Sequence, residues 1–170
     1  MLIACSHESR ENINFRNKNI SLSNYEVIYE SGNWDHPDYS EAFESYGNHR
    51  AVIELQDTLY SNTQVLIPWR RRDNEPAQKD IIIVDAKTNT VVENRYVIEI
   101  NNEYGHLIFK PNNQSSLYYV YYLPHSSTGS YYPKVSYKKP KETKDKSWLA
   151  EIKLSFCLAC NRGKRCFNIK

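Results

Sequence analysis

The segment with the most distinctive chemistry is Trp69-Arg70-Arg71-Arg72-Asp73. Guanidinium groups donate forked hydrogen bonds to carboxylates and phosphates, and an indole can stack on a sugar ring or on a guanidinium plane. The same residues also fit a structural role, with the indole in the core and the Arg side chains paired with acids at a strand end. We predict structural pairing, and keep carbohydrate contact and interdomain contact by residues 69–73 as alternatives.

A second cluster is the C-x2-C-x5-C arrangement of Cys157, Cys160 and Cys166. Two thiolates at C-x2-C spacing can bind one zinc ion, but a closed structural site needs four ligands. The nearest His is His125, 32 residues before Cys157. We therefore predict no metal site and an aberrant or disordered tail. An interaction protein with a Cys-rich, metal-binding tail stays open as an alternative.

Residues suited to catalysis are scattered along the chain. Glycoside hydrolysis generally uses two carboxyl groups that flank the scissile bond, and no local arrangement of acids indicates such a pair. The five His residues are far apart, and the sequence has no Gly-rich phosphate loop, G-x-S-x-G or H-E-x-x-H motif. We predict that the chain is not an enzyme by itself and has no catalytic residue and no cofactor.

The N-terminus carries a pattern that is typical of lipid anchoring. Leu2-Ile3-Ala4-Cys5 reads like the end of a bacterial lipoprotein signal, in which a small residue precedes a lipidated Cys. The polar residues 6–19 fit a tether. We therefore expect lipidation of Cys5 and an extracytoplasmic location, in the bacterial cell envelope or periplasm. We expect membrane contact only through this anchor.

Charge is unevenly distributed along the chain. From Lys134 onward there are 11 basic and three acidic residues, a net charge of +8, whereas the first 133 residues carry −6. The basic residues lie among Pro, Glu and Asp, as in a solvated linker. No nucleic-acid-binding motif accompanies them, so we predict no nucleic-acid partner.

Composition and turn residues predict an all-β fold. Tyrosine is unusually common, with 14 among 170 residues, and aromatic residues favour sheets. Short apolar runs alternate with turn residues, which is typical of a sandwich or barrel. The predicted strands are 25–29, 50–56, 64–69, 80–85, 95–100, 106–110, 117–123 and 133–137, and a short helix is predicted over 39–46, ended by Gly47.

Two of these strands are apolar on both faces. Residues 81–84 are Ile-Ile-Ile-Val, and in the run 118–122 Tyr118, Val120 and Tyr122 share one face. A lone hairpin would leave such strands uncovered, so a second layer must pack on them. The tyrosines could instead form an aromatic platform for carbohydrate, but packing in the core is favoured.

We predict an antiparallel β-sandwich, jelly-roll or immunoglobulin-like, over residues 25–140. It follows a tether at 1–24 with a lipoprotein-signal remnant, and it precedes a basic linker and an aberrant or disordered tail at 141–170. Residues 148–152 indicate the opening of a further element within that tail.

The chain resembles the N-terminal domain of bacterial glycoside hydrolase family 123-like proteins over about residues 45–149. The segments that carry the resemblance are 47–52, 67–73, 81–86, 102–105 and 118–124. The resemblance implies a β-sandwich ahead of a (β/α) barrel that cleaves terminal β-linked N-acetylgalactosamine. In such barrels the acetamido group of the substrate attacks, helped by an adjacent Asp-Glu pair. This sequence has no Asp-Glu step, so no catalytic residue is carried over.

The resemblance implies a non-catalytic accessory domain that supports or orients a catalytic barrel. That barrel is the expected partner. A carbohydrate-binding module that contacts host or dietary glycan is the alternative. After residue 149 the sequence departs from the family pattern, and we hypothesise a truncated or frameshifted reading frame there.

Overall fold

The computed structural model describes residues 21–22, 25–35, 45–56, 61–112, 115–129 and 131–160. Within them the chain forms eleven strands, a 3-10 helix at Pro76–Gln78 and one α-helix. The strands are β1 (Ser21–Leu22), β2 (Tyr25–Asp35), β3 (Ser45–Leu55), β4 (Thr63–Pro68), β5 (Ile82–Asp85), β6 (Thr90–Val91), β7 (Arg95–Ile100), β8 (Tyr104–Phe109), β9 (Leu117–Tyr121), β10 (His125–Thr128) and β11 (Lys134–Tyr137), and the helix is α1 (Lys146–Cys160).

The strands form two sheets and a separate hairpin. One sheet has four strands in the order β1-β4-β8-β7, and the other has five in the order β2-β3-β9-β5-β6. Their pairings are antiparallel except for the short parallel pairing of β1 with β4. Strands β10 and β11 pair with each other as the hairpin.

The two sheets pack face to face over one hydrophobic core. Along β4, Val65 and Ile67 are buried whereas Leu66 is 44% exposed, which is the period-2 alternation of a strand with one covered face. The predicted all-β, antiparallel sandwich is therefore confirmed. The buried core residues are Ala51, Ile53, Leu55, Val65, Ile67, Trp69, Ile81, Ile83, Val92, Leu107, Phe109, Tyr118 and Val120.

Each of the eight strands predicted from the sequence overlaps an observed strand. In the tyrosine run, Tyr118 and Val120 lie in the core with Tyr122 packed against it, while Tyr119 and Tyr121 belong to a cluster on the opposite face of the five-stranded sheet. The predicted division of this strand into two faces is confirmed. Tyr118 is a core residue, not part of a carbohydrate platform.

The helix predicted over 39–46 is wrong at its end. Ser45 and Tyr46 begin β3, and residues 39–44 lie outside the described residues. Gly47 has a φ of 89° within this strand, and a Cβ added to it would lie 2.4 Å from the carbonyl oxygen of Leu123. Glycine is required there by close backbone approach in a strand, not by the end of a helix.

Helix α1 occupies part of the segment for which the sequence predicted a linker and tail. Trp148 and Ile152 are buried against Ile108 on the outer face of the four-stranded sheet. The Trp148 indole N–H donates to Asn62 Oδ1 over 2.6 Å. Residues four apart lie on one face of a helix, so this pair docks α1 on the sheet. The domain therefore continues beyond residue 140.

The first turn of α1 is capped by Asp145. The backbone N–H of Ser147 donates to Asp145 Oδ1 over 3.0 Å, as at a standard helix N-cap. No helix among the described residues is long and apolar enough to cross a lipid bilayer.

Candidate functional site

The W-R-R-R-D segment, residues 69–73, leaves β4 and lies against the turn at 101–104 that joins β7 to β8. The backbone N–H of Trp69 donates to the Glu103 carbonyl over 2.7 Å, and that of Arg71 donates to the Asn102 carbonyl over 2.8 Å. The Asn102 side chain donates in return to the carbonyls of Arg71 and Asp73, over 3.1 and 3.0 Å. These bonds extend the β4–β8 pairing beyond the strands and fix the path of the segment.

Trp69 is a core residue. Its side chain is stacked on Tyr122 with ring centroids 5.0 Å apart, and its indole N–H donates to the Asn101 carbonyl over 2.8 Å. Only 6% of Trp69 is exposed. A Cβ added at Gly105 would lie 2.1 Å from the indole, so the ring covers this glycine closely. The indole is thus committed to packing and is not a free platform for a sugar.

Arg71 and Asp73 form a buried ion pair. Arg71 donates from Nε and Nη2 to the two carboxylate oxygens of Asp73, both over 2.8 Å. Lys79 Nζ adds a third bond to Asp73 over 2.5 Å. Burial alone would raise the pKa of Asp73, but the bonds and charges of Arg71 and Lys79 outweigh it and lower the pKa to about 2. The structural pairing predicted for this segment is therefore present between Arg71 and Asp73.

Arg70 and Arg72 behave differently from Arg71. Both side chains are exposed, and neither has an ion-pair partner among the described residues. Alternate residues of an extended segment point to opposite sides, so burial of Arg71 directs its two neighbours outward. Arg70 and Arg72 are the members of the segment that are free to contact a ligand or another domain.

A groove opens between the W-R-R-R-D segment and β2. It has a volume of about 950 Å³, within the range of small-molecule sites. The Tyr29 hydroxyl donates to the Pro68 carbonyl and thereby joins the two sheets at the groove. The lining residues are Tyr29, Pro68, Trp69, Arg70, Arg71, Asn102, Glu103 and Tyr122.

The hairpin lies at the same end of the sandwich as the segment. Lys79 Nζ, which bonds Asp73, also lies 4.5 Å from the centroid of the Tyr137 ring. At the base of the hairpin the backbone N–H of Asp80 donates to the Lys138 carbonyl over 2.9 Å. The groove, the segment and the hairpin therefore form one end of the molecule.

A second polar cluster, around Arg50, is structural. Its guanidinium lies 3.9 Å from the Tyr119 ring centroid and 4.4 Å from that of Trp34. It also bonds Glu30 over 2.6 Å and the Tyr121 hydroxyl over 3.2 Å. The cluster joins β2, β3 and β9 on the outer face of the five-stranded sheet. The sequence did not predict it, because its members come from three strands that pair only in the fold.

The two buried acids at the ends of the segment 80–85, which includes β5, have structural partners. Asp85 accepts the backbone N–H of Lys87 over 2.9 Å and the Asn112 amide over 2.6 Å. Burial alone would raise the pKa of Asp85, but these hydrogen bonds outweigh the effect of burial, and the pKa is lowered. Asp80 lies 3.7 Å from Arg95, and burial raises the pKa of Asp80 despite that charge. The two residues are five positions apart along an extended segment, which corresponds to about 16 Å of backbone, so the two carboxyl groups do not face one substrate.

The four Cys residues that the sequence analysis considered lie only partly within the described residues. Cys157 and Cys160 are in the last turns of α1, whereas Cys5 and Cys166 lie outside the described residues. The part of the chain that the structure describes contains no group of three or more His, Cys, Asp or Glu arranged to hold a metal ion.

The fold and this site define a β-sandwich domain with a groove of mixed polar and apolar lining and an exposed hairpin at one end. The chain belongs to the family described as the glycoside hydrolase 123 N-terminal domain, whose model matches residues 41–164. The match includes all of α1 and extends beyond residue 149, so it gives no support to a change of reading frame there. No significant match was found among curated proteins or among solved structures.

Proposed function

We propose that the chain is a non-catalytic accessory domain that supports or orients a separate, glycan-degrading catalytic barrel. The family match carries the proposal, because the matched domain is the N-terminal one of a glycoside hydrolase. The polar chemistry of the sandwich supports it as well. Asp73, Asp80 and Asp85 each pair with or lie close to a polar partner within the domain. Carboxyl groups paired in this way stabilise a scaffold.

The surface proposed to face the barrel is the exposed hairpin. Tyr131 and Tyr132 are 88% and 84% exposed, and Val135 and Tyr137 are also exposed. A two-stranded hairpin is only marginally stable alone, and clustered exposed apolar side chains commonly mark interaction sites. The neighbouring Arg70 and Arg72 supply charge at the same end. The sequence predicted interdomain contact as an alternative for residues 69–73, and the proposal limits it to the exposed pair Arg70 and Arg72.

The accessory role is tested by association in trans. The purified 170-residue chain is titrated with a recombinant catalytic barrel of family 123 by isothermal calorimetry. We expect association in the micromolar range that weakens at least about tenfold in the Tyr131→Ser/Tyr132→Ser double variant. Leu154→Ser is the matched control, because Leu154 is 64% exposed on α1, away from the hairpin. No association at about 100 µM would contradict the proposal.

The non-catalytic assignment has its own test. The chain alone is incubated with an aryl N-acetyl-β-galactosaminide, which is the substrate class that the resemblance to family 123 implies. The released phenol is measured by absorbance. We expect no release above the uncatalysed rate. Release that grows in proportion to the concentration of purified chain would overturn the assignment.

We also propose an extracytoplasmic location with lipidation at Cys5. The support is the sequence Leu2-Ile3-Ala4-Cys5 and the polar residues that follow it. The test is metabolic labelling with palmitate of the protein expressed from its own gene in a bacterial host. Label should appear in the wild-type protein and be absent from Cys5→Ser, and equal labelling of both would refute lipidation.

A further inference from the structure

The groove beside the W-R-R-R-D segment has a mixed lining. Two tyrosines line it, Tyr29, which is 47% exposed, and Tyr122, which is half-buried. The polar residues Arg70, Asn102 and Glu103 line it as well, and all three are exposed. An aromatic face bordered by hydrogen-bonding groups matches a pyranose, which has an apolar C–H face and a rim of hydroxyls.

The charged residues that line the groove include both signs. Arg71 is ion-paired with Asp73, which Lys79 also bonds, and the other two charged lining residues are Arg70 and Glu103. An anionic ligand would be repelled by Glu103, and a cationic ligand would be repelled by Arg70. An uncharged ligand with several hydroxyls satisfies both groups, since a hydroxyl accepts from a guanidinium and donates to a carboxylate.

One donor at the groove wall lacks a partner within the part of the chain that the structure describes. Arg71 uses Nε and Nη2 for Asp73, while its buried Nη1 has no hydrogen-bond partner among those residues. Only 6% of Arg71 is exposed. Buried donors are normally paired, and leaving one unpaired is costly.

We propose that this groove binds an uncharged, pyranose-containing glycan, with a sugar ring on Tyr29 and its hydroxyls on Arg70 and Glu103. The glycan is favoured over other uncharged polyhydroxy ligands because the chain belongs to a glycoside hydrolase domain family. The proposal goes beyond the accessory role and does not depend on it, since a scaffold needs no ligand.

The test is titration of the full chain, labelled with nitrogen-15, with two oligosaccharides of equal length. One is neutral and ends in N-acetylgalactosamine, and the other carries sulfate groups. We expect the neutral probe to bind at about millimolar affinity or better, with chemical-shift changes concentrated at the amides of residues 69–71 and 102–103. Arg70→Ala and Glu103→Gln should each weaken binding about tenfold, because each removes a charge-assisted hydrogen bond from an exposed side chain.

Two variants serve as controls. Glu54→Gln removes an exposed carboxylate from β3, and Tyr132→Ala removes an exposed tyrosine from the hairpin. Neither residue lines the groove. Both should bind the neutral probe like the wild type. No binding at about 10 mM, or binding that Arg70→Ala and Glu103→Gln leave intact, would overturn the proposal. Binding of the sulfated probe alone would overturn it in favour of an anion site. None of these outcomes alters the result of the barrel titration.

Discussion

At the residue scale, the W-R-R-R-D segment divides its five side chains between packing and exposure. Trp69, Arg71 and Asp73 are held within the domain, whereas Arg70 and Arg72 are exposed. The division follows from alternation in an extended segment that is tied on one side to the 101–104 turn. Trp69, Arg71 and Asp73 thus serve stability, and the recognition proposed for Arg70 can be tested by substitution without removing these contacts.

Gly105 and Trp69 form a matched pair, because any Cβ at position 105 collides with the indole. We expect Gly105→Ala to destabilise the chain by about 2 kcal/mol through overpacking. In a Trp69→Leu background the same change should cost much less, because the smaller side chain leaves space for the methyl group. Urea unfolding of the four proteins measures this coupling, and strict additivity would refute the contact.

The Arg71–Asp73 pair predicts a pH dependence of stability. The pKa of Asp73 is lowered from 3.8 to about 2 in the folded chain. A carboxyl group with a lowered folded pKa stabilises the fold fully above its unfolded pKa, and that stability is lost as pH falls through the folded pKa. The contribution at neutral pH is at most about 2 kcal/mol, and it should disappear between about pH 4 and pH 2.

Asp73→Asn tests this dependence. At pH 7 it should destabilise the chain by about 2–4 kcal/mol, because it leaves the buried Arg71 guanidinium without its counter-ion. The difference from the wild type, measured by urea unfolding, should narrow as pH falls from 4 to 2. Glu75→Gln, an exposed acid without an ion pair among the described residues, should show no such trend. A difference for Asp73→Asn that is constant over this range would contradict the assignment.

At the element scale, the strands were predictable and the groove was not. The local composition of runs such as Ile81–Val84 and Tyr118–Tyr122 predicts buried strands, and turn residues separate these runs. The groove takes Tyr29 from β2, Pro68 from the end of β4, Glu103 from a turn and Tyr122 from beyond β9. No local pattern links four such segments, so only the pairing of strands reveals the site.

Helix α1 was missed for a different reason. Its apolar contact with the sheet rests on Trp148 and Ile152 within a stretch that follows many Lys residues, and composition therefore indicated a linker. A short helix gains its stability from docking an apolar face on the rest of the domain, which a linear pattern shows only weakly. Residues 148–152 indicate the start of a further element, but the composition after residue 140 predicts a domain boundary before that element.

The docking of α1 predicts a contrast between two apolar residues two positions apart. Ile152 is fully buried and Leu154 is 64% exposed. Ile152→Ala should destabilise the chain by about 2–4 kcal/mol, because it opens a cavity against Ile108. Leu154→Ala should change stability by less than about 0.5 kcal/mol. Thermal or urea unfolding measures both, and equal effects would mean that α1 does not pack as described.

At the scale of the whole molecule, the domain has three layers. The five-stranded sheet, the four-stranded sheet and α1 follow one another, with the main core between the sheets and a smaller cluster under the helix. The groove and the hairpin lie at one end of the sandwich, so the two surfaces proposed for recognition are separate from the helix-covered face. An arrangement of this kind suits a domain that presents one end to a partner.

The three-layer arrangement predicts where the folding unit ends. A chain stopped at residue 140, the boundary predicted from composition, loses α1 and uncovers Ile108 together with Tyr96 and Ile98 on the four-stranded sheet. It also loses the bond from the Arg95 guanidinium to Thr143 and the bond from the Thr143 hydroxyl to the Glu93 carbonyl. Exposure of this apolar surface should lower stability by several kcal/mol, at about 25 cal/mol per Å².

Two truncated chains test the prediction against the intact protein. The chain ending at 140 should unfold at a clearly lower temperature than the chain ending at 160, and it should bind a hydrophobic dye such as ANS. Restoring residues 141–160 with Ile152→Ala should give an intermediate midpoint, because the helix is then present but poorly packed. Equal midpoints for the chains ending at 140 and at 160 would place α1 outside the folding unit and restore the boundary that composition indicates.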